Sequence, residues 1–190
     1  MMWTLPGTVL EIRREDADRV DTQFSAMFLA GGMVLSQVSS ITGLEPYMIQ
    51  NWVKRGFLPP PTMKRYSLRQ LCRILNINML RGALPMEDIC RLLEYVNGHL
   101  DDESDDLIDD SLLYFMFVRL AALAKPQTPQ DAWQPLLDRV LADYREPVPG
   151  AKARIETVLK IMLAAWFSAR LRRYAESLLA PVKESTPSAG

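Results

Sequence analysis

Between Tyr47 and Arg81 the chain carries Lys54, Arg55, Lys64, Arg65, Arg69, Arg73 and Arg81, and no acidic residue. Gln50 and Asn51 stand near the start of this run. Side-chain amides can pair in two-point fashion with adenine, while Tyr, Lys and Arg suit phosphate oxygens. On one helix, Tyr47, Gln50, Asn51, Lys54 and Arg55 would form a hydrogen-bonding, cationic face, with Ile49, Trp52 and Val53 turned inward. That combination suits recognition of nucleic acid rather than bond cleavage. No nucleophile, base and orienting group cluster anywhere, so no enzyme is expected. His99 is the single histidine, and Cys72 and Cys90 lack CxxC spacing. Both cysteines read as core residues inside helices. No metal or other cofactor is expected.

The total charge hides this face. The 190 residues include 22 Lys plus Arg and 23 Asp plus Glu, a net charge of −1. A nucleic-acid binder usually shows a strongly basic total. The partition along the chain says more. Residues 33–100 hold eight bases and four acids, whereas residues 101–118 hold seven acids and no base. Three readings of Asp101, Asp102, Glu103, Asp105, Asp106, Asp109 and Asp110 stay open. They could form a solvated linker whose carboxylates favour the start of the following helix. They could contact the basic segment, within the chain or across a dimer. They could ligate a metal through oxygen, although no Gly supplies the sharp turn of an EF-hand loop.

The elements that would position these residues are helical. Leu35 to Thr42 reads as a helix with Leu35, Val38 and Ile41 inward, followed by a Gly43-Leu44 turn. Pro46 suits the first position of a second helix, which reaches about Arg55 and stops at Gly56. The stretch Phe57-Leu58-Pro59-Pro60-Pro61 is extended, because proline fixes the backbone. Ser67 and Gln70 form a capping box that opens a helix expected to bury Leu68, Leu71, Ile74, Leu75 and Leu80. A further helix opens at Pro85 and closes at Asn97-Gly98. Helices are also expected over 22–30, 107–123, 131–144 and 151–179, and strand alternation is scarce. The last of these carries two apolar stripes, one through Ile155, Leu159, Met162, Trp166 and Ala169, the other through Leu163, Phe167, Leu171, Tyr174 and Leu178. Two stripes mean burial on two sides, inside a bundle or between bundle and partner.

No run of 18 apolar residues occurs, so no membrane span is expected. The first residues do not read as a signal peptide, because Glu11, Arg13, Arg14, Glu15 and Asp16 interrupt them. A reduced, cytoplasmic protein is the expectation. The expected division is an N-terminal arm and short helix (1–32), a helix-turn-helix domain (33–98), an acidic linker (99–110), a helical C-terminal domain (111–182) and a disordered tail (183–190).

The segments Leu35-Ser36-Gln37-Val38, Thr42-Gly43-Leu44, Ile49-Gln50-Asn51-Trp52, Lys54 to Pro59 and Arg65-Tyr66-Ser67 resemble, in this order, the DNA-binding head of MerR-type regulators. The resemblance implies a winged helix-turn-helix head, and with the helical pattern of the later segments the expected fold is mainly α, the head preceding an all-α C-terminal bundle. It places Tyr47, Gln50 and Asn51 on the recognition helix and Lys64, Arg65 and Tyr66 in the wing. It departs from the pattern in its short wing, in Glu45 at the helix N-cap, and in lacking one long helix after residue 83. A second resemblance reaches further. Gly31-Gly32, Leu35-Ser36-Gln37, Ile49 through Arg55, Ile77-Asn78, Tyr95 through Gly98 and Asp101 through Asp110 are similar to the bacterial domain of unknown function 1836, over roughly residues 15–125. The expected function is that of a transcriptional regulator binding double-stranded DNA as a homodimer held by its C-terminal helices. The alternative is a protein-interaction adaptor that kept the winged-helix shape without DNA binding.

Overall fold

The computed structural model describes residues 2–98, 100 and 105–185. These residues are mainly helical, as expected, with eight α-helices and two short antiparallel β-ribbons. No described helix is long and apolar enough to cross a membrane.

The chain opens with a hairpin that periodicity did not predict. Strand β1 (Met2–Thr4) pairs with β2 (Glu11–Arg13), setting Trp3 opposite Ile12. Three-residue strands are too short for alternation to register. The hairpin turn holds Gly7 at φ 74°, where a Cβ would run into the Leu75 carbonyl. Glycine alone allows that approach. A 3-10 turn over Arg14–Arg19 leads into α1 (Val20–Met27), where a helix over 22–30 was expected.

Strand β3 (Met33–Val34) runs directly into α2 (Leu35–Thr42), and α3 (Pro46–Lys54) follows after a short turn. Gly43 ends α2 in the left-handed conformation, its N–H bonded to the Ser39 carbonyl at 2.9 Å. The chain returns through β4 (Arg65–Tyr66), which pairs with β3, and enters α4 (Leu68–Leu80). The capping box is present: Ser67 Oγ accepts from the Gln70 N–H at 3.1 Å, and Gln70 Oε1 accepts from the Ser67 N–H at 2.8 Å. Helix α5 (Met86–Asn97) comes next.

Helix α6 (Asp110–Leu123) begins three residues later than apolar content suggested. The Asn97 amide takes the Ile108 carbonyl, and Asp109 then caps α6, its Oδ1 accepting from the Ser111 and Leu112 N–H groups. A single 3-10 turn over Gln130–Ala132 precedes α7 (Trp133–Val140). Helix α8 (Ala151–Ser185) is longer than expected and continues past residue 182.

Helices α4 and α6 form the centre. Both are buried almost all round, and each is the other's most extensive partner. One buried apolar cluster joins Trp3, Val38, Trp52, Leu75, Tyr114, Leu137 and Trp166, so residues from 3 to 167 share a core. Cys72 lies within it, and burial pushes its thiol pKa up, which leaves it a packing group. Along α8 the first stripe is buried from Ile155 to Ala169, but the second is buried only to Phe167. Every residue from 170 to 182 is exposed.

Candidate nucleic-acid interface

Helix α3 separates its residues into two faces. Ile49 is fully buried and Trp52 is 4 % exposed, anchoring the helix to the core. Tyr47, Gln50, Asn51 and Lys54 are exposed and follow the i, i+3, i+4, i+7 spacing of one helix face. Arg55 caps the C-terminal end, exposed, its guanidinium 4.5 Å above the Phe57 ring. Glu45 is exposed at the N-cap and makes no side-chain cap bond.

The expected wing is a tight turn. The Arg65 N–H bonds to the Thr62 carbonyl at 2.9 Å, and Met63 and Lys64 between them both take positive φ, 48° and 62°. Two consecutive left-handed residues make a primed hairpin turn, which normally favours Asn-Gly. With a Met-Lys pair it stores strain of roughly 1–2 kcal/mol per residue. The turn projects Met63, 92 % exposed, and Lys64. Arg65 Nη1 donates to the Gly32 carbonyl at 2.6 Å, fixing the ribbon. Gln50 and Lys64 line one hollow of about 460 Å³ with Leu35, Val53, Pro61 and Tyr66. Of the recognition-helix candidates Gln50 alone lines this hollow, with Lys64 and Tyr66 from the wing candidates.

Tyr66 is the exception among the wing candidates. Its side chain is 3 % exposed, and burial raises its phenol pKa. Strand residues alternate between faces, so the pleat that turns Arg65 outward turns Tyr66 into the core. Tyr66 is a packing residue.

Two bases of the acid-free run are also turned inward. Arg73 is 3 % exposed, donating from Nη1 to Asp110 Oδ2 at 3.4 Å and from Nε to the Phe57 carbonyl at 3.0 Å. Arg69 lies 2.6 Å from Asp106 and 3.8 Å from Asp110. The described part of the acidic run is therefore divided. Asp109 caps a helix, as the linker reading implies, while Asp106 and Asp110 contact the basic segment within the chain. Residues 101–104 and His99 lie outside the described residues. Among the described residues, no group of three or more His, Cys, Asp or Glu could hold a metal ion.

Burial raises the Asp106 carboxyl from 3.8 to about 6, against the lowering effect of Arg69. A carboxyl with a raised folded pKa binds more protons folded than unfolded between the two values. Its contribution to stability falls as pH rises through that window and levels off above it. Asp106→Asn removes this component. The Tm of the variant relative to wild type should therefore rise between pH 4 and 6.5. A pH-independent difference in thermal melts would count against this assignment.

Residues 28–117 match the family model described as Domain of unknown function (DUF1836), the family that the sequence resemblance pointed to. The match spans α2 to α5, the described acidic residues and the first part of α6. An uncharacterized protein of Bacillus subtilis (strain 168), YkrK, is 31 % identical over 84 residues, 42 % of this chain and 36 % of that protein. The chain therefore spans about a third of the length of this curated relative. No solved structure matches.

Proposed function

We propose that residues 33–98 form a MerR-like winged helix-turn-helix domain that binds duplex DNA, within a transcriptional regulator. Helix α3 presents Gln50 and Asn51 to base edges, and Lys54, Arg55, Lys64 and Arg65 face phosphates. Tyr47 adds a phosphate contact at the start of the helix. The observation that carries this reading is the exposed face of α3 meeting the Lys64 turn at one hollow, with both elements anchored by buried neighbours.

Selection of bound sequences from random duplex DNA tests it. Gln50→Ala or Asn51→Ala should change the selected sequence, whereas the paired Lys64→Ala, Arg65→Ala variant should weaken binding to all sequences alike. Failure of the wild type to retain any duplex at low salt would overturn the reading. The adaptor reading draws on the apolar part of the same hollow and on the exposed Met63 and Glu45. Retention of a protein partner on this surface without DNA binding would favour it.

Head domains of this kind usually read paired half-sites, so a dimer belongs to the proposal. Its support is the far half of α8. Leu171, Tyr174, Leu178 and Val182 recur at i, i+3, i+7 and i+11 and are 57–64 % exposed. Such a stripe buries well against a second copy. Light scattering at tens of micromolar should give a dimer, and Leu178→Glu should give a folded monomer. A monomeric wild type would remove this part of the proposal.

A further inference from the structure

A cleft of about 410 Å³ opens on another part of the molecule, between the hairpin turn at Gly7, the turn at Gly43, the end of α4 and the middle of α8. A smaller cleft of about 280 Å³ adjoins it and shares Gly7, Thr8, Trp166 and Arg173. Arg81, Arg172 and Arg173 line the first and Arg170 and Arg173 the second, and among the described residues no carboxylate lines either. We propose that this arginine cleft binds a small phosphorylated molecule carrying at least two negative charges.

The arginines are poorly matched by the chain itself. Arg173 makes no ion pair or hydrogen bond among the described residues. Arg170 only stacks on Trp166, 4.8 Å from the ring centroid. Arg172 pairs along the helix with Glu176 at 3.4 Å. Although Arg170 as a residue is exposed, its guanidinium is partly desolvated over Trp166, and this, with repulsion from Arg173 and Arg14, lowers its pKa. Four arginines gathered with one paired carboxylate, Glu176, favour an anionic occupant, and guanidinium forks match phosphate oxygens in pairs.

Hydrogen bonds tie the two turns of the cleft together. Asn78 Nδ2 donates to the Gly7 carbonyl at 2.9 Å and the Thr42 carbonyl at 3.0 Å, and Asn78 Oδ1 accepts from Arg81 Nε at 2.8 Å. One side chain thus clips both turns together and aims Arg81. The Val9 N–H bonds to the Ile41 carbonyl at 3.0 Å, closing the same wall. A preorganised site loses little ordering entropy on binding, and the volume lies in the usual range for small ligands, about 300–1,000 Å³. Trp166 and Met79 supply apolar floor for the body of such a molecule.

Calorimetric and thermal-shift titrations of the full chain at fixed ionic strength test this, with inorganic phosphate, pyrophosphate and ADP as probes and chloride as control. Pyrophosphate or ADP should bind saturably and raise Tm. The paired Arg81→Ala, Arg173→Ala variant should lose at least tenfold in affinity, while Arg139→Ala, exposed on α7, should not. Absence of saturable binding by any probe, or equal binding to the paired variant, overturns the proposal. Duplex DNA provides a second arm. If the paired variant loses DNA binding while no small probe binds wild type, the cleft is a DNA contact and the proposal fails. Unchanged DNA binding with lost pyrophosphate binding supports it. The proposal does not rest on the DNA reading, because it uses none of the α3 residues and neither Lys64 nor Arg65.

Discussion

Asp110→Ala is expected to destabilise the fold by about 3–5 kcal/mol, because it leaves the Arg73 guanidinium buried without a carboxylate. In a chain of this size that corresponds to a fall in Tm of roughly 6–20 °C. Arg73 would retain the Phe57 carbonyl but lose the charge that offsets its desolvation. The carboxylate also sits on the first turn of α6, where the helix dipole favours it. Truncation of one partner and replacement of both should differ sharply. A paired Arg73→Met, Asp110→Leu variant removes both charges and fills the space, so it should recover most of the loss. Denaturant unfolding of the two single variants and the pair gives the coupling directly. Additive effects would show that the two groups do not interact, and the assigned ion pair would have to be abandoned.

The second large effect concerns DNA affinity and salt. Four bases of the acid-free run remain outward near α3: Lys54, Arg55, Lys64 and Arg65. If each neutralises one phosphate, log K against log salt should slope by about −3.6, since each contact contributes about −0.9. Between 50 and 200 mM salt the affinity should then fall by about 150-fold. Lys54→Ala and Lys64→Ala should each make the slope shallower by about one contact. Arg69→Ala should not, because its guanidinium is engaged with Asp106 and Asp110. A flat salt response would sink the phosphate-contact reading. A slope changed as much by Arg69 as by Lys64 would show that the buried pairs open on binding.

The near-zero total charge is a consequence of this division. Some of the acids of the middle segment compensate bases of α4 inside the fold, so they lower the total without facing the candidate interface. The acids and bases are separated by more than 30 residues in sequence, yet Arg73 and Asp110 meet because α4 packs along α6. Counting charges along the chain located the basic face but overstated it, since Arg69, Arg73 and Arg81 do other work. The same limit explains Tyr66. The expectation put its side chain beside Arg65 on the candidate surface, but the face it takes depends on the register of a two-residue ribbon with Met33 and Val34.

Local signals needed little help. The capping box at Ser67, the left-handed Gly43, Pro46 at a helix start and the inward Ile49 and Trp52 all lie within a few residues of the structure they specify. Their physics is short-range: steric limits on φ, orphan N–H groups near a helix start, and the 3.6-residue period of a helix face. The sequence by itself therefore determined a mainly helical chain and the outward face of α3. Only the tertiary structure decided which arginines are buried against Asp106 and Asp110, which gather at a cleft with Asn78, and where the apolar stripe of α8 leaves the core. Those outcomes depend on how α4, α6 and α8 pack against one another. Residues far apart in sequence then share an environment, and no local pattern records it.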